Sequence, residues 1–208
     1  MIVLADNDVI LKLARCDLYS EFCAAFDVTP HDIRILNTSR FVLNSNKIRK
    51  RCDDASFARM KEFMRSVADI DSTPDPNEII SLAEQPRIDA GEAILFSVCP
   101  QLPNSLLATG DKRSLTSLLE AVAGNSVCGS VYARLAGKIV CFEQMLLQIL
   151  NHCGFDEIRG KLFAGRECDK ALAILLGSGL ETVEATFREG LISYIEDLRK
   201  NSGTLLIA

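Results

Sequence analysis

The chain has 208 residues, of which 48% are hydrophobic and 25% are charged, and its formal net charge is −5. This length suits one domain, or one domain with an extension, and the composition is that of an ordinary globular protein. The acidic balance excludes a protein that binds nucleic acid through its overall charge, and no apolar run approaches the roughly 20 residues of a membrane helix. Because no basic segment followed by an apolar stretch opens the chain, we expect no secretory signal, no membrane partner and a cytoplasmic location.

The eight cysteines form no C-x-x-C pair, and only His31 and His152 could join them as metal ligands. Most of them lie within apolar patterns such as "LFSVC" and "KIVCF". We therefore expect buried free thiols in a reducing compartment rather than a zinc site or a disulfide framework.

The first predicted strand covers residues 2–5, "IVLA", and two acids, Asp6 and Asp8, follow it directly. The next residues have apolar side chains at helical spacing and predict a helix that ends near Phe26. After a break at Thr29-Pro30, "IRIL" is a short strand, and Thr38 or Ser39 can cap a helix behind it. Residues 53–70 predict a further amphipathic helix, "DSTPDPN" a loop and "NEIISLAEQ" a short helix.

Strands and helices continue to alternate up to residue 150. The order is "DAGEAILFSVC" as a helix, "SLLATG" as a strand, two helices in "KRSLTSLLEAVA" and "VYARLAG", and a strand in "KIVCF". This alternation predicts an α/β fold with a mainly parallel central sheet over residues 1–150.

Residues 151–208 form a different region, which we predict to be an all-helical extension. Its last helix carries one apolar stripe, formed by Val183, Phe187, Leu191, Ile195 and Leu198. The stripe can pack on the main domain or on a second copy of the chain, which would make a homodimer.

Acidic residues recur where strands give way to helices. Asp6 follows the first strand, Asp111 follows "SLLATG", and Asp89 and Glu92 share one face at the start of a helix. Each acid alone has a structural explanation as a helix cap, and the helix dipole favours acids there. Carboxylates that meet at one edge of a sheet repel one another, however, and hard divalent cations relieve this repulsion. Oxygen ligands select Mg²⁺ or Mn²⁺ rather than zinc.

Three of these motifs resemble the PIN-domain nucleases. "IVLADNDVILKL" looks like the opening strand of that family, "DAGEAILFSV" like the D-x-G-E-A helix of one subgroup, and "LLATGDKRSL" like its T-x-D segment. The resemblance covers residues 1–150 and implies a three-layer α/β/α fold and a Mg²⁺- or Mn²⁺-dependent ribonuclease that activates water with its metal. It assigns catalytic roles to Asp6, Asp89, Glu92 and Asp111, metal binding to Asp6, Glu92 and Asp111, and auxiliary roles to Asp8 and Thr109.

One feature of the PIN pattern is missing. Many family members carry a glutamate on the helix after the second strand, but here no acid occurs before Asp53 and Arg40 lies in that neighbourhood. This departure puts the full two-metal site in question.

The stretch "RFVLNSNKIRKR" places several bases close together without an acid. It is either a solvated helix face or a phosphate-binding patch beside the acidic site, with the later bases two to three turns along one helix. As a patch it predicts a single-stranded RNA partner, held by Arg40, Lys47, Arg49, Lys50 and Arg51 together with Lys112 and Arg113.

Several alternatives remain open. A haloacid dehalogenase-like phosphatase would use Asp6 as nucleophile and Asp8 as acid/base, but it leaves Asp89 and Glu92 unexplained. A degenerate PIN-like module would bind RNA or a protein without cutting. A toxin of a toxin–antitoxin pair would bind a small antitoxin-like protein in its acidic groove, although such toxins are usually shorter.

Overall fold

The central element is a five-stranded sheet, described by a computed structural model that covers residues 1–208. Its strands are β1 (Ile2–Ala5), β2 (Ile33–Ile35), β3 (Ala68–Asp69), β4 (Ser105–Thr109) and β5 (Ile139–Cys141). They lie in the order β3-β2-β1-β4-β5, and every neighbouring pair is parallel. The predicted α/β fold with a parallel sheet is confirmed.

Thirteen α-helices surround the sheet. They are α1 (Asn7–Cys16), α2 (Tyr19–Ala25), α3 (Ser39–Leu43), α4 (Asn46–Arg49), α5 (Asp54–Ser66), α6 (Pro76–Ala83), α7 (Ala90–Val98), α8 (Lys112–Ala121), α9 (Ser126–Leu135), α10 (Phe142–Cys153), α11 (Phe155–Gly165), α12 (Lys170–Leu175) and α13 (Glu184–Ser202). None of them combines the length and the apolar character that crossing a bilayer requires.

Two hydrophobic cores lie on the two faces of the sheet, because successive side chains of a strand point to opposite faces. Val3 and Ala5 of β1 join the first core, which also contains side chains of α1, α2, α5 and α10. Leu4 joins the second core, with side chains of α6, α7, α8 and α9. The arrangement is therefore helices, sheet, helices.

The C-terminal helices share these cores with the rest of the chain. Phe187 and Leu191 of α13 belong to the first core, whereas Ile195 and Leu198 belong to the second. Four of the five stripe residues are thus buried within the chain, and only Val183 is exposed. The proposed division after residue 150 falls inside α10.

The sequence-based expectations fail at three places. The first predicted helix, expected to end near Phe26, is two helices, because Asp17 adopts a left-handed conformation after α1 and α2 then begins at Tyr19. Residues 53–70 do not form one helix, because α5 ends at Ser66 and the chain then forms the short edge strand β3 against β2. The basic stretch also does not form one helix. Asn44 ends α3 and the side chain of Ser45 caps α4, so the chain turns between them.

Candidate functional site

The site lies where the chain changes direction across the sheet. From β1 the chain moves outward to β2 and β3, and it later returns to the other side of β1 as β4. In open parallel sheets, ligands bind beyond the carboxyl ends of the strands at such a switch point. Asp6 follows β1 and Asp111 lies two residues after β4, so both acids stand at this point.

Asp6 joins the two strands that flank the switch point. Its Oδ1 accepts a hydrogen bond from the backbone N–H of Val9 at 2.7 Å, which caps α1. Its Oδ2 accepts from the Thr109 hydroxyl and from the Gly110 N–H. Asp6 is therefore fixed by both β1 and β4, and only 8% of its surface is exposed.

Asp89 and Glu92 close the first turn of α7 as a reciprocal capping box. The Glu92 N–H donates to Asp89 Oδ1 at 2.8 Å, and the Asp89 N–H donates to Glu92 Oε2 at 2.9 Å. The D-x-G-E spacing thus has a local structural function, which is the satisfaction of two free N–H groups at a helix start.

Asp111 caps α8 and is also clamped by a base. Its Oδ1 accepts from the Arg113 backbone N–H at 2.9 Å, and its Oδ2 forms an ion pair with the Arg113 guanidinium at 2.8 Å. Burial opposes ionisation of Asp111, but the hydrogen bonds and charge of Arg113 outweigh it and lower the pKa of this carboxyl.

The four predicted catalytic acids, Asp6, Asp89, Glu92 and Asp111, line one small depression together with Asp8, and we call it the acidic pocket. It has a volume of about 150 Å³, and its wall consists of Asp6, Asn7, Asp8, Leu36, Asp89, Gly91, Glu92, Leu95 and Asp111. The structure therefore brings together the acids that the sequence analysis selected from three separate segments. Asp8 and Thr109, the two auxiliary residues, lie at the pocket wall and behind Asp6 respectively.

Two acids of the pocket resist ionisation. Burial, followed by the charge of Asp8, raises the pKa of Asp6 to about 6 despite its three hydrogen bonds. Burial also raises the pKa of Glu92 to about 7, and the charges of Asp89 and Asp111 contribute in the same direction. Clustered acids of this kind gain from a nearby cation, because it offsets both desolvation and mutual repulsion.

The donor atoms suit a hard cation, although the carboxylates are not arranged around one. No group of three or more His, Cys, Asp or Glu side chains is placed to hold a metal ion. All the carboxylate and amide ligands available here are oxygens, the type that Mg²⁺ and Mn²⁺ prefer. Asn7, which lines the acidic pocket, has a buried amide oxygen that accepts no hydrogen bond.

A buried lysine that the sequence analysis missed connects the pocket to the C-terminal helices. Lys12 Nζ lies 2.7 Å from Asp8 and 2.8 Å from Asp169, which caps α12. Gly110 packs against this ion pair so closely that a Cβ there would lie 2.1 Å from Asp8 Oδ2. The Asp8–Lys12 spacing of four residues is a recognisable helical ion pair. Nothing in the local sequence indicates Asp169.

The basic residues divide into two groups. Arg40 is bound to Asp69 and to the carbonyl oxygens of Met64 and Val67, and Arg49 pairs with Asp54. Three other bases of the stretch are exposed and have no ion-pair partner: Lys47, Lys50 and Arg51.

Lys112 and Arg113, by contrast, lie beside the acidic pocket. Arg113 holds Asp111, and Lys112 pairs with Glu143, a buried acid at the start of α10 whose Oε2 has no hydrogen-bond partner. The structure therefore places only these two of the seven predicted nucleic-acid contacts against the acids.

Comparison with known proteins adds no relative to this description. No protein-family model, no curated protein and no solved structure matches the chain.

Proposed function

We propose that this protein is a PIN-like nuclease that hydrolyses RNA with the help of Mg²⁺ or Mn²⁺. The observation that supports this function is the meeting of Asp6, Asp89, Glu92 and Asp111 in one pocket at the switch point of a parallel sheet. The three motifs that resemble PIN domains supply these acids in the same chain order. The raised pKa values of Asp6 and Glu92 mean that a bound cation would stabilise their ionised forms.

The residues of the pocket have two proposed roles, which are metal binding and the orientation of a metal ligand. Asp6, Glu92 and Asp111 would hold the cation, and the bound cation would lower the pKa of a water molecule so that it can attack a phosphodiester. The Thr109 hydroxyl and the Gly110 N–H fix the orientation of the Asp6 carboxylate. Asp6 and Glu92 must release their protons to bind a cation, so we expect metal affinity to increase with pH between about 5 and 8.

Two measurements test this function together. Titration calorimetry with Mn²⁺ reports the site, and hydrolysis of a labelled single-stranded RNA reports the activity. Asp6→Asn and Glu92→Gln should each abolish metal binding and hydrolysis. Asp53→Asn is the matched control, since Asp53 caps α5 in the way that Asp6 caps α1 but lies outside the pocket. Unchanged Mn²⁺ affinity in Asp6→Asn would remove Asp6 from the site and the metal from the proposal.

One set of contacts favours a second candidate, a PIN-like module that binds RNA or a protein without cutting. Arg113 already neutralises Asp111, and Lys12 already neutralises Asp8. The chain also lacks the glutamate common on the helix after the second strand in the family, and Arg40, which lies in that neighbourhood, is bound to Asp69 at the β3 edge. RNA binding without Mn²⁺ binding or hydrolysis would select this candidate.

The phosphatase alternative has less support from the geometry. A nucleophilic aspartate needs an ionised oxygen that is free to attack. Both Asp6 oxygens already accept hydrogen bonds, so neither is free to attack a substrate. Release of nitrophenol from p-nitrophenyl phosphate, lost in Asp6→Asn and kept in Glu92→Gln, would nevertheless establish it.

A further inference from the structure

We propose that a single-stranded polynucleotide leaves the acidic pocket along α8 and α13, so that the C-terminal helices form part of its binding site. This inference rests on the proposed function in its choice of ligand. Its geometry comes from three adjoining surface depressions, none of which is lined by the basic stretch.

Three adjoining depressions form this path, which we call the groove. The acidic pocket shares Asp8 and Asp111 with a cleft of about 630 Å³. That cleft shares Lys112, Arg113 and Tyr194 with a third depression of about 180 Å³. The three depressions therefore adjoin one another, from the acids to the surface between α8, α12 and α13.

The charge along the groove changes from acidic to basic. Beyond Asp111 its basic lining residues are Lys112, Arg113 and Lys170, and then Arg87, which pairs with Glu120. Two acids also line it, namely Asp169, which is neutralised by Lys12, and Asp197, so the bases outnumber the free acids. Arg113 has 75% of its side chain exposed, and Lys170 is exposed and forms no ion pair. A polyanion needs such an arrangement, because a cation can neutralise the phosphate at the acids whereas the flanking phosphates need basic side chains.

Tyr194 adds an aromatic surface at the centre of the groove. It lies on α13, lines both the large cleft and the third depression, and Lys112 Nζ is 5.1 Å from the centre of its ring. Channels for single strands combine basic side chains with rings on which bases stack. A duplex offers no such unstacked base, so the groove favours single strands.

The basic stretch around α3 and α4 is the alternative surface on which a single strand could bind. It offers free bases such as Lys50 and an aromatic ring, Phe41, that is 80% exposed. None of its residues lines the groove, however. The two surfaces therefore predict different mutational results.

A pair of matched double variants decides between them. Lys170→Glu with Tyr194→Leu alters the groove, and Lys50→Glu with Phe41→Leu alters the stretch, so that each variant changes the net charge equally and removes one ring. Affinity for a fluorescein-labelled oligouridylate is measured by anisotropy in EDTA over a series of salt concentrations. Oligodeoxythymidylate and a duplex RNA are measured beside it, and thermal melts confirm that both variants fold.

We expect the groove variant to bind the single strands about tenfold more weakly at low salt, through the loss of one stacked base and one phosphate contact. The slope of log affinity against log salt should decrease by about 0.7. The stretch variant should bind like the wild type. Equal losses in both variants, a loss in the stretch variant alone, or a wild type that binds no single strand would each overturn the proposal. Because EDTA removes the metal, these outcomes are independent of Mn²⁺ binding and hydrolysis, which test the proposed function.

Two free cysteines from distant parts of the chain, Cys16 and Cys168, lie next to each other. The Sγ atoms of Cys16 and Cys168 lie 3.6 Å apart, although the residues are 152 positions apart in the chain. The end of α11 approaches α1 closely because Gly165 has no side chain; a Cβ there would lie 2.7 Å from the Cys16 Cα. We infer that this thiol pair is an oxidation site, at which hydrogen peroxide converts the two thiols into a disulfide.

The chemistry follows from the exposure of the two thiols. Cys168 lines the large cleft, whereas Cys16 is fully buried. Peroxide first oxidises the Cys168 thiol to a sulfenic acid and is itself reduced to water. The Cys16 sulfur then attacks the sulfenic sulfur, which forms the disulfide and releases a second water. Cys168 precedes Asp169, so the crosslink would fix the loop that holds Lys12.

Peptide mapping after peroxide treatment and alkylation tests this site. We expect one crosslinked pair, Cys16 with Cys168, reversed by dithiothreitol and absent in Cys16→Ser but retained in the control Cys23→Ser. The oxidised wild type should also need more urea to unfold than the reduced protein, since the crosslink restricts the unfolded chain. Sulfinic acid at Cys168 without a crosslink, or crosslinks spread over other cysteines, would refute the inference.

Discussion

The raised pKa of Asp6 should make the folded protein less stable as the pH increases. In the unfolded chain Asp6 loses its proton around pH 3.8, whereas in the folded protein it keeps the proton until about pH 6. Between these values unfolding releases a proton, so stability decreases by about 1.4 kcal/mol per pH unit. Over the whole window, Asp6 alone should reduce the free energy of unfolding by about 3 kcal/mol.

Urea unfolding at a series of pH values from 3.5 to about 8 measures this effect, and Asp6→Asn isolates it. Glu92 titrates in the same direction, from 4.5 to about 7, but it does so in both proteins. Asp111, whose pKa is lowered, acts in the opposite sense and only below its ordinary value of 3.8. The free energy of unfolding of the wild type, relative to that of Asp6→Asn, should therefore decrease by about 2 kcal/mol between pH 4 and 7 and then stay constant.

Parallel stability curves for the two proteins would refute this reasoning, because they would mean that Asp6 ionises as easily in the folded chain as in the unfolded one. Mn²⁺ provides a further check. If the pocket binds the ion, added Mn²⁺ should stabilise the wild type increasingly as the pH rises and should leave Asp6→Asn unaffected.

Three further predictions concern packing and charge. Lys12→Met should destabilise the fold by about 3 kcal/mol, because it leaves Asp169 buried without a counter-charge. In a double-mutant cycle measured by urea unfolding, the addition of Asp169→Asn should recover part of this loss. Gly165→Ala should lower the free energy of unfolding by about 1–3 kcal/mol, because the added Cβ clashes with the Cys16 backbone. Gly160→Ala on the same helix should raise it, because no atom lies within 4 Å of the added Cβ. Equal shifts in melting temperature for the two variants would contradict the close approach at Gly165. Phe187→Ala should lower the free energy of unfolding by about 3–5 kcal/mol, because its ring lies in the first core. Thermal unfolding should remain one cooperative transition. A melt in two steps, with one of them unaffected by the substitution, would instead indicate an independent C-terminal unit.

The sequence predicts the main sheet well because the strands are short apolar runs between clear helices. β1, β2, β4 and β5 all coincide with predicted strands. β3 does not, since its two residues are exposed and only their pairing with β2 makes them a strand. Such an element is determined by tertiary contact rather than by local pattern.

The acids of the candidate site were also visible in the sequence, because the carboxyl ends of parallel strands meet at one edge. Asp6 and Asp111 share the pocket for this reason. The contribution of the C-terminal helices was not visible. Asp169 and Tyr194 reach the site only through the packing of α12 and α13 on the rest of the chain, and no spacing rule connects residues that far apart.

The position of α13 also affects how the chain acquires its structure during synthesis. This helix supplies side chains to both cores, and residues 204–207, which follow it, hydrogen-bond to the outer side of β5. Until these residues leave the ribosome, β5 presents an open strand edge between two incompletely covered apolar surfaces, the condition under which nascent chains associate wrongly. At the opposite edge, β3 is too short to recruit another strand. The segment that follows α13 therefore protects the one sheet edge at risk, and we expect nascent chains stalled before α13 to depend on chaperones that bind exposed apolar segments.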